Sequence, residues 1–373
     1  MLYLDNSATT RIYDEVLEAL LPFLKEEYGN PSSKYYLLAE NAKKAISTAR
    51  EKVAELVGCD PEEVIFTSGA TESNNMIIKG VADQYPEKGN HIITSKVEHP
   101  SVIESCKHLE SKGYKVTYLD VDLFGRIQPE KFEQTVRNNP PLLVSLIWGN
   151  NELGSLNEVE QIAAICKNHN VLFHTDATQI IGKVKFNLSL IPGIRFLSIS
   201  GHKIHAPKGV GVAIIRKHDI GKKTQLTPLI HGGGQEDNYR SGTLAVHNIV
   251  GLGKAAEIAM REIDNTINKL LVLEAFCKEL LVMKFGEQLI FNSDTGNKIP
   301  GLLNLMITGV NNQRFIIKHA EKIAISTGSA CSSAKPSEVL IAIGKSDQEI
   351  RSTLRITLSP DIELSDLKVI LDL

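Results

Sequence analysis

Short apolar runs closed by turn residues alternate, along the first two thirds of the chain, with stretches whose apolar positions recur at helical spacing. The runs at 64–66, 91–94, 115–118, 142–147, 171–174 and 196–199 predict buried strands. The stretches at 33–56, 71–82, 100–112, 129–136 and 158–168 predict helices between them. Gly58 and then Pro61 end the first helix. Pro100 and Pro129 suit a first helical turn, where a missing N–H leaves nothing unbonded. Such alternation predicts an α/β fold with a mostly parallel sheet covered on both faces.

The rhythm changes near residue 245. Residues 246–285 read as one long helix with Gly251 and Gly253 inside it. Beyond it come strands at 303–307, 323–326 and 353–358, and helices at 313–319, 337–343 and 363–371. They predict a smaller α+β domain, with the long helix as the bridge. The expected division is a large α/β domain at 15–255 and a small α+β domain at 256–373, which 1–14 joins and which carries the loop around Cys331. A chain of 373 residues suits two domains.

Composition narrows the function classes. Hydrophobic residues at 42% and charged residues at 23% are the balance of an ordinary globular protein. A net charge of −3 with no basic run gives no reason to expect direct binding of nucleic acid. The opening MLYLDNSATTR is not a signal peptide, and no run of about 18 apolar residues predicts a membrane span. Five widely spaced cysteines without a C-x-x-C pair predict reduced thiols and a cytoplasmic location.

The chemistry gathers where each predicted strand ends, the place where open α/β sheets bind ligands. Residues 67–74 (TSGATESN) form a small-residue turn entering a helix, which points free N–H groups at one spot and suits a phosphate. Asp176 follows a hydrophobic strand, so its partly buried carboxylate needs a cation such as a protonated pyridine nitrogen. Lys203, beside small residues and His202, is placed to become a nucleophilic amine. Each feature alone also fits a capped helix, a capping Asp or a surface lysine. Together they match the requirements of pyridoxal 5′-phosphate (PLP): a Schiff-base lysine and an acid for the ring nitrogen. The His202–His205 spacing is a weak metal pattern, and no metal site is expected.

The strings LDNSATT, FTSGATESNN, VEHPSV, NNELG, HTDATQ, SGHKIHAPKGVG, HGGGQE, RSGT and STGSACSS, in order from about residue 3 to about 358, resemble the cysteine desulfurases. These form a class V aminotransferase branch of the fold-type I PLP enzymes. The resemblance implies that Lys203 carries PLP, Asp176 pairs with its ring nitrogen and Gln179 touches its phenolic oxygen. It places His99 stacked on the ring and suited to proton transfer, with Asn151 near the same edge. Phosphate contacts fall to Ala70, Thr71, Ser200 and His202. Thr243 reaches the cofactor of a partner subunit, which implies a homodimer. Arg355 holds the substrate carboxylate, with Arg351 a weaker competitor, and Asn30 joins it in substrate binding. Cys331 is the nucleophile that takes sulfur from L-cysteine as a persulfide, releases L-alanine and passes the sulfur to an acceptor protein. The other four cysteines read as structural thiols.

Three places depart from the family pattern. Lys34-Tyr35-Tyr36 stand where members often have a histidine, the stretch after Cys331 is short, and Ser359-Pro360-Asp361 replace a Gly-Arg pair. The destination of the sulfur, iron–sulfur clusters or thio-modified RNA and cofactors, stays open. So do a selenocysteine lyase or another class V aminotransferase, and a low-activity sulfur-relay or regulatory homologue.

Overall fold

The structure, a computed structural model, describes residues 1–218, 221–328 and 336–373. The large sheet is built from β2 (Val64–Thr67), β3 (His91–Ser95), β4 (Lys115–Leu119), β5 (Leu143–Ile147), β6 (Leu172–Asp176), β7 (Phe196–Ser200) and β8 (Gly211–Ile215), numbered after the short N-terminal β1 (Leu2–Tyr3). Its order is β2-β8-β7-β6-β5-β3-β4. All neighbours run parallel except β8, which is antiparallel to both β2 and β7. Strands β2, β3, β5, β7 and β8 are buried along their whole length, the mark of a sheet covered on both faces.

The covering helices are α1 (Asp14–Leu20), α2 (Pro22–Lys25), α3 (Leu37–Val57), α4 (Ala70–Gln84), α5 (Pro100–Glu110), α6 (Pro129–Asn138) and α7 (Val159–Asn168). Helix α3 begins four residues later than its pattern predicts. It ends as predicted on Gly58, which adopts a left-handed φ of 73° and donates its N–H to the Ala54 carbonyl. Of these elements, β1, β8, α1 and α2 are additions to the expected set.

Helix α8 (Val246–Phe285) spans 40 residues and contributes to two separate cores. Its first half packs on α3 so closely that a Cβ on Gly253 would lie 2.6 Å from the Ala49 Cα. Its second half, from Leu270 to Leu281, joins Leu4 and residues between Leu303 and Ile370 in the other core. That part holds β9 (Leu289–Phe291), β10 (Leu302–Ile307), β11 (Ile323–Ala324) and β12 (Thr353–Thr357), with α9 (Asn312–His319), α10 (Glu338–Ala342), α11 (Asp347–Ile350) and α12 (Leu364–Leu367). Strands β12, β10 and β9 form an antiparallel sheet, and β1 pairs with β11. Helix α10 turns away from its own core: Val339 and Leu340 pack with Val97 and Leu153 of the large part.

Candidate active site

The carboxyl ends of β2, β3, β5, β6 and β7 open onto a cavity of about 670 Å³. The Ser7–Thr9 turn and Arg355 of β12 close its other side, so both parts of the chain contribute to it.

One wall is an anion cradle. Helix α4 starts at Ala70, and its first N–H groups have no partner inside the helix. They meet the cavity together with Ser68, Thr71, Ser200 and His202. The backbone there is too crowded for side chains, since a Cβ on Gly211 would lie 2.4 Å from the Gly69 Cα. Burial, and then the charges of Lys203 and Lys208, push the His202 ring down to about 4. The ring is neutral and its surroundings are electropositive, which favours an anion.

Asp176 ends β6, so its side chain leaves the sheet at the cavity floor. It is buried, with Oδ2 accepting from Asn74 Nδ2 at 2.8 Å and Oδ1 from the Thr178 N–H at 3.0 Å. Lys203 follows β7 in a single helical turn, and its Nζ donates to the carbonyls of Ser7 at 2.5 Å and Ala8 at 2.6 Å. Gln179 Nε2 donates to the same Ser7 carbonyl at 3.0 Å.

Arg355 is 1% exposed. Its Nη1 donates to the carbonyls of Asn151 and Gly328 at 2.8 and 2.9 Å, and its Nη2 meets Asp5 Oδ1 at 2.8 Å. Its Nε has no partner among the described residues. Gln179 Oε1, Thr178 Oγ1 and Glu98 Oε2 are buried without a partner among the described residues as well, all on residues lining the cavity. Orphaned polar atoms are costly unless a ligand meets them. An anion cradle, a buried carboxylate, an amine and open donors and acceptors together fit the phosphate, ring nitrogen and carbonyl of PLP.

Of the residues singled out in the sequence, Ala70, Thr71, His99, Asn151, Asp176, Gln179, Ser200, His202, Lys203 and Arg355 line this one cavity. Three others do not. Thr243 is exposed outside it, and so is Asn30, whose Oδ1 accepts from the Ser32 N–H. Arg351 is exposed at the end of α11. Cys331 lies outside the described residues; on either side of it, Gly328 touches Arg355 and Pro336 and Ser337 line the cavity. Burial raises the other four thiols, those of Cys59, Cys106 and Cys277 to about 12 and that of Cys166 further, so none is a ready nucleophile.

Sequence reasoning missed several contributors. The Ser7 and Ala8 carbonyls act through backbone, which no side-chain pattern reveals. Glu98 stands next to His99 with its carboxyl pushed up to about 8, first by burial and further by Asp176. Glu152 accepts from Ser337 Oγ at 2.6 Å and ties α10 to the cavity wall. Asn74 and Ser101 were visible only as polar positions on two helices.

Residues 2–370 match the aminotransferase class-V family. The chain is 42% identical to the cysteine desulfurase IscS of Dictyoglomus turgidum, over 99% of this chain and 92% of that protein. It is 40% identical to the IscS of Klebsiella pneumoniae, over 96% of this chain and 87% of the relative. Among solved structures, a NifS-like protein superposes with a TM-score of 0.91 at 36% identity, covering 100% of this chain and 97% of that one. SspA in complex with cysteine gives a TM-score of 0.84 at 36% identity, covering 96% and 99%. With its length matched almost end to end, the chain belongs to the aminotransferase class-V family, in the cysteine desulfurase branch.

Proposed function

We propose that this protein is a PLP-dependent cysteine desulfurase. It takes sulfur from L-cysteine, releases L-alanine and hands the sulfur from Cys331 to an acceptor protein for iron–sulfur clusters or thio-modified RNA and cofactors. It works as a cytoplasmic homodimer in which Thr243 reaches the partner's cofactor. The observation that carries the reading is the convergence of Lys203, Asp176, the α4 cradle and Arg355 on one cavity.

Bound PLP supplies an electron sink that makes the α-carbon of an attached amino acid acidic. Lys203 Nζ would hold the cofactor carbonyl at the cavity wall, where it now donates to the Ser7 and Ala8 carbonyls. Asp176, with Asn74 and the Thr178 N–H donating to its two oxygens, would pair with a protonated ring nitrogen. Arg355 takes the substrate carboxylate, using Nε and the N–H groups now on Asp5 and Gly328. Cys331 as thiolate attacks the substrate sulfur. The substrate C–S bond breaks, an S–S bond forms, and a proton replaces sulfur on the substrate carbon. Cysteine and one enzyme thiol thus become alanine and one enzyme persulfide.

The test is an absorbance spectrum of the purified protein, followed by alanine and sulfide assays with L-cysteine. A yellow protein that forms both products, with Cys331→Ala yellow but inactive, supports the reading. A protein that stays colourless with added PLP contradicts it.

A further inference from the structure

His99 is the N-cap of α5, and it caps the helix with its own ring. Its Nδ1 accepts the Ser101 backbone N–H at 3.2 Å, and Ser101 Oγ lies 2.8 Å from the same nitrogen. Ser101 Oγ in turn accepts from Asn74 Nδ2 at 2.9 Å, and that Nδ2 also donates to Asp176 Oδ2 at 2.8 Å. The amide cannot be reversed, because its oxygen would then face a carboxylate that only accepts. The Ser101 backbone N–H can only donate, so Nδ1 is an acceptor without a proton of its own, and the Ser101 hydroxyl supplies the proton between Oγ and Nδ1. Two donors therefore converge on Nδ1, and the backbone N–H cannot turn round.

A proton on Nδ1 would meet both donors head on, so the ring proton belongs on Nε2. The imidazolium, which needs protons on both nitrogens, is opposed by the cap, by burial, by the positive end of an 11-residue helix and by Lys203. The Asp176 carboxylate acts the other way. Among the described residues His202 also senses this ring, and burial and nearby lysines push it down to about 4. No hydrogen-bond partner on the described residues meets Nε2, and the ring lines the cavity.

We propose that His99 serves the reaction as a neutral Nε2–H hydrogen-bond donor and not as a proton-accepting base, with Ser101 and Asn74 as the positioning residues that fix this tautomer. The proposal deepens the desulfurase reading and rests on its cavity. It replaces the proton-transfer role that the family resemblance implies for His99.

The experiment is nitrogen–proton correlation NMR of the histidine-labelled holoenzyme, with the His99 signal assigned by its loss in His99→Gln. The expected spectrum shows an Nε2–H ring at neutral pH whose titration falls below the ordinary histidine range. Ser101→Ala should raise the titration of His99 at least tenfold in proton affinity, Asn74→Ala somewhat less, and Ser101→Thr should restore the wild-type spectrum. Thermal melts of the same samples separate this effect from misfolding. An Nδ1–H ring or an imidazolium near pH 7 in wild type overturns the proposal, as does a titration unmoved in both Ser101→Ala and Asn74→Ala. The expected tautomer in a protein without turnover removes only the desulfurase reading, and a working desulfurase with the wrong tautomer removes only this one.

Discussion

The middle of the large sheet and its carboxyl edge each bury a histidine, and the two are wired differently. His174, in the middle, bonds Ser145 Oγ on one neighbouring strand at 2.8 Å and Ser198 Oγ on the other at 2.9 Å. Both ring nitrogens are used within the sheet, and burial pushes the ring down to about 4. His99, at the edge, has its Nδ1 taken by Ser101, while no described residue bonds its Nε2 and the residue lines the cavity. Around it Gln179 Oε1, Thr178 Oγ1 and Arg355 Nε also lack partners among the described residues. Buried polarity closed on itself holds strands together. Buried polarity left open on one side calls for a ligand.

The comparison breaks most sharply at Lys203. Lys203→Ala should remove the cofactor chromophore and lower alanine formation roughly a thousandfold or more. Spectra and single-turnover assays would read both, and a variant that keeps either would detach the edge from the chemistry. Arg355→Lys should raise KM for L-cysteine about 10- to 100-fold, because an ammonium cannot reproduce the guanidinium fork. Steady-state kinetics check it, and an unchanged KM would free the substrate carboxylate from Arg355.

The interior should respond in the opposite way. Ser198→Ala strips the partner from His174 Nε2 and should cost about 1–3 kcal/mol of stability with kcat/KM unchanged. Denaturant unfolding gives the first quantity and kinetics the second. A loss of activity without a loss of stability would invert the assignment.

The last effect expected appears only as pH rises, at Glu98, whose carboxyl burial pushes up to about 8. Its folded value is raised, so its contribution is fully present below the ordinary carboxylate range and is lost as pH climbs towards 8. Glu98→Gln should flatten this decline in melts run between the two limits. An equally steep decline in the variant would mean that Glu98 ionises freely.

The sequence made the strand ends legible because polar residues there interrupt apolar runs, as at Asp176 and Ser200. The phosphate turn was legible for the same reason, its small residues standing at a strand-to-helix junction. Strand β8 was not, since a short run of GVAII has no periodicity to distinguish a strand from a buried turn of helix. Nor were the Ser7 and Ala8 carbonyls, which reach Lys203 only because the chain folds back over 195 residues or more. The Asp176–Asn74–Ser101–His99 chain joins three separate elements and exists only once the sheet has formed. Asn30 and Thr243 had motif support, yet within one chain they lie outside the cavity.

The most direct test is the mass of the peptide carrying Cys331, taken from the holoenzyme after one equivalent of L-cysteine without reductant. One added sulfur atom on Cys331, matched by one alanine released and absent from Cys59, Cys106, Cys166 and Cys277, is the predicted result. Alanine released with Cys331 unmodified, or sulfur found on one of the buried cysteines instead, would contradict the account.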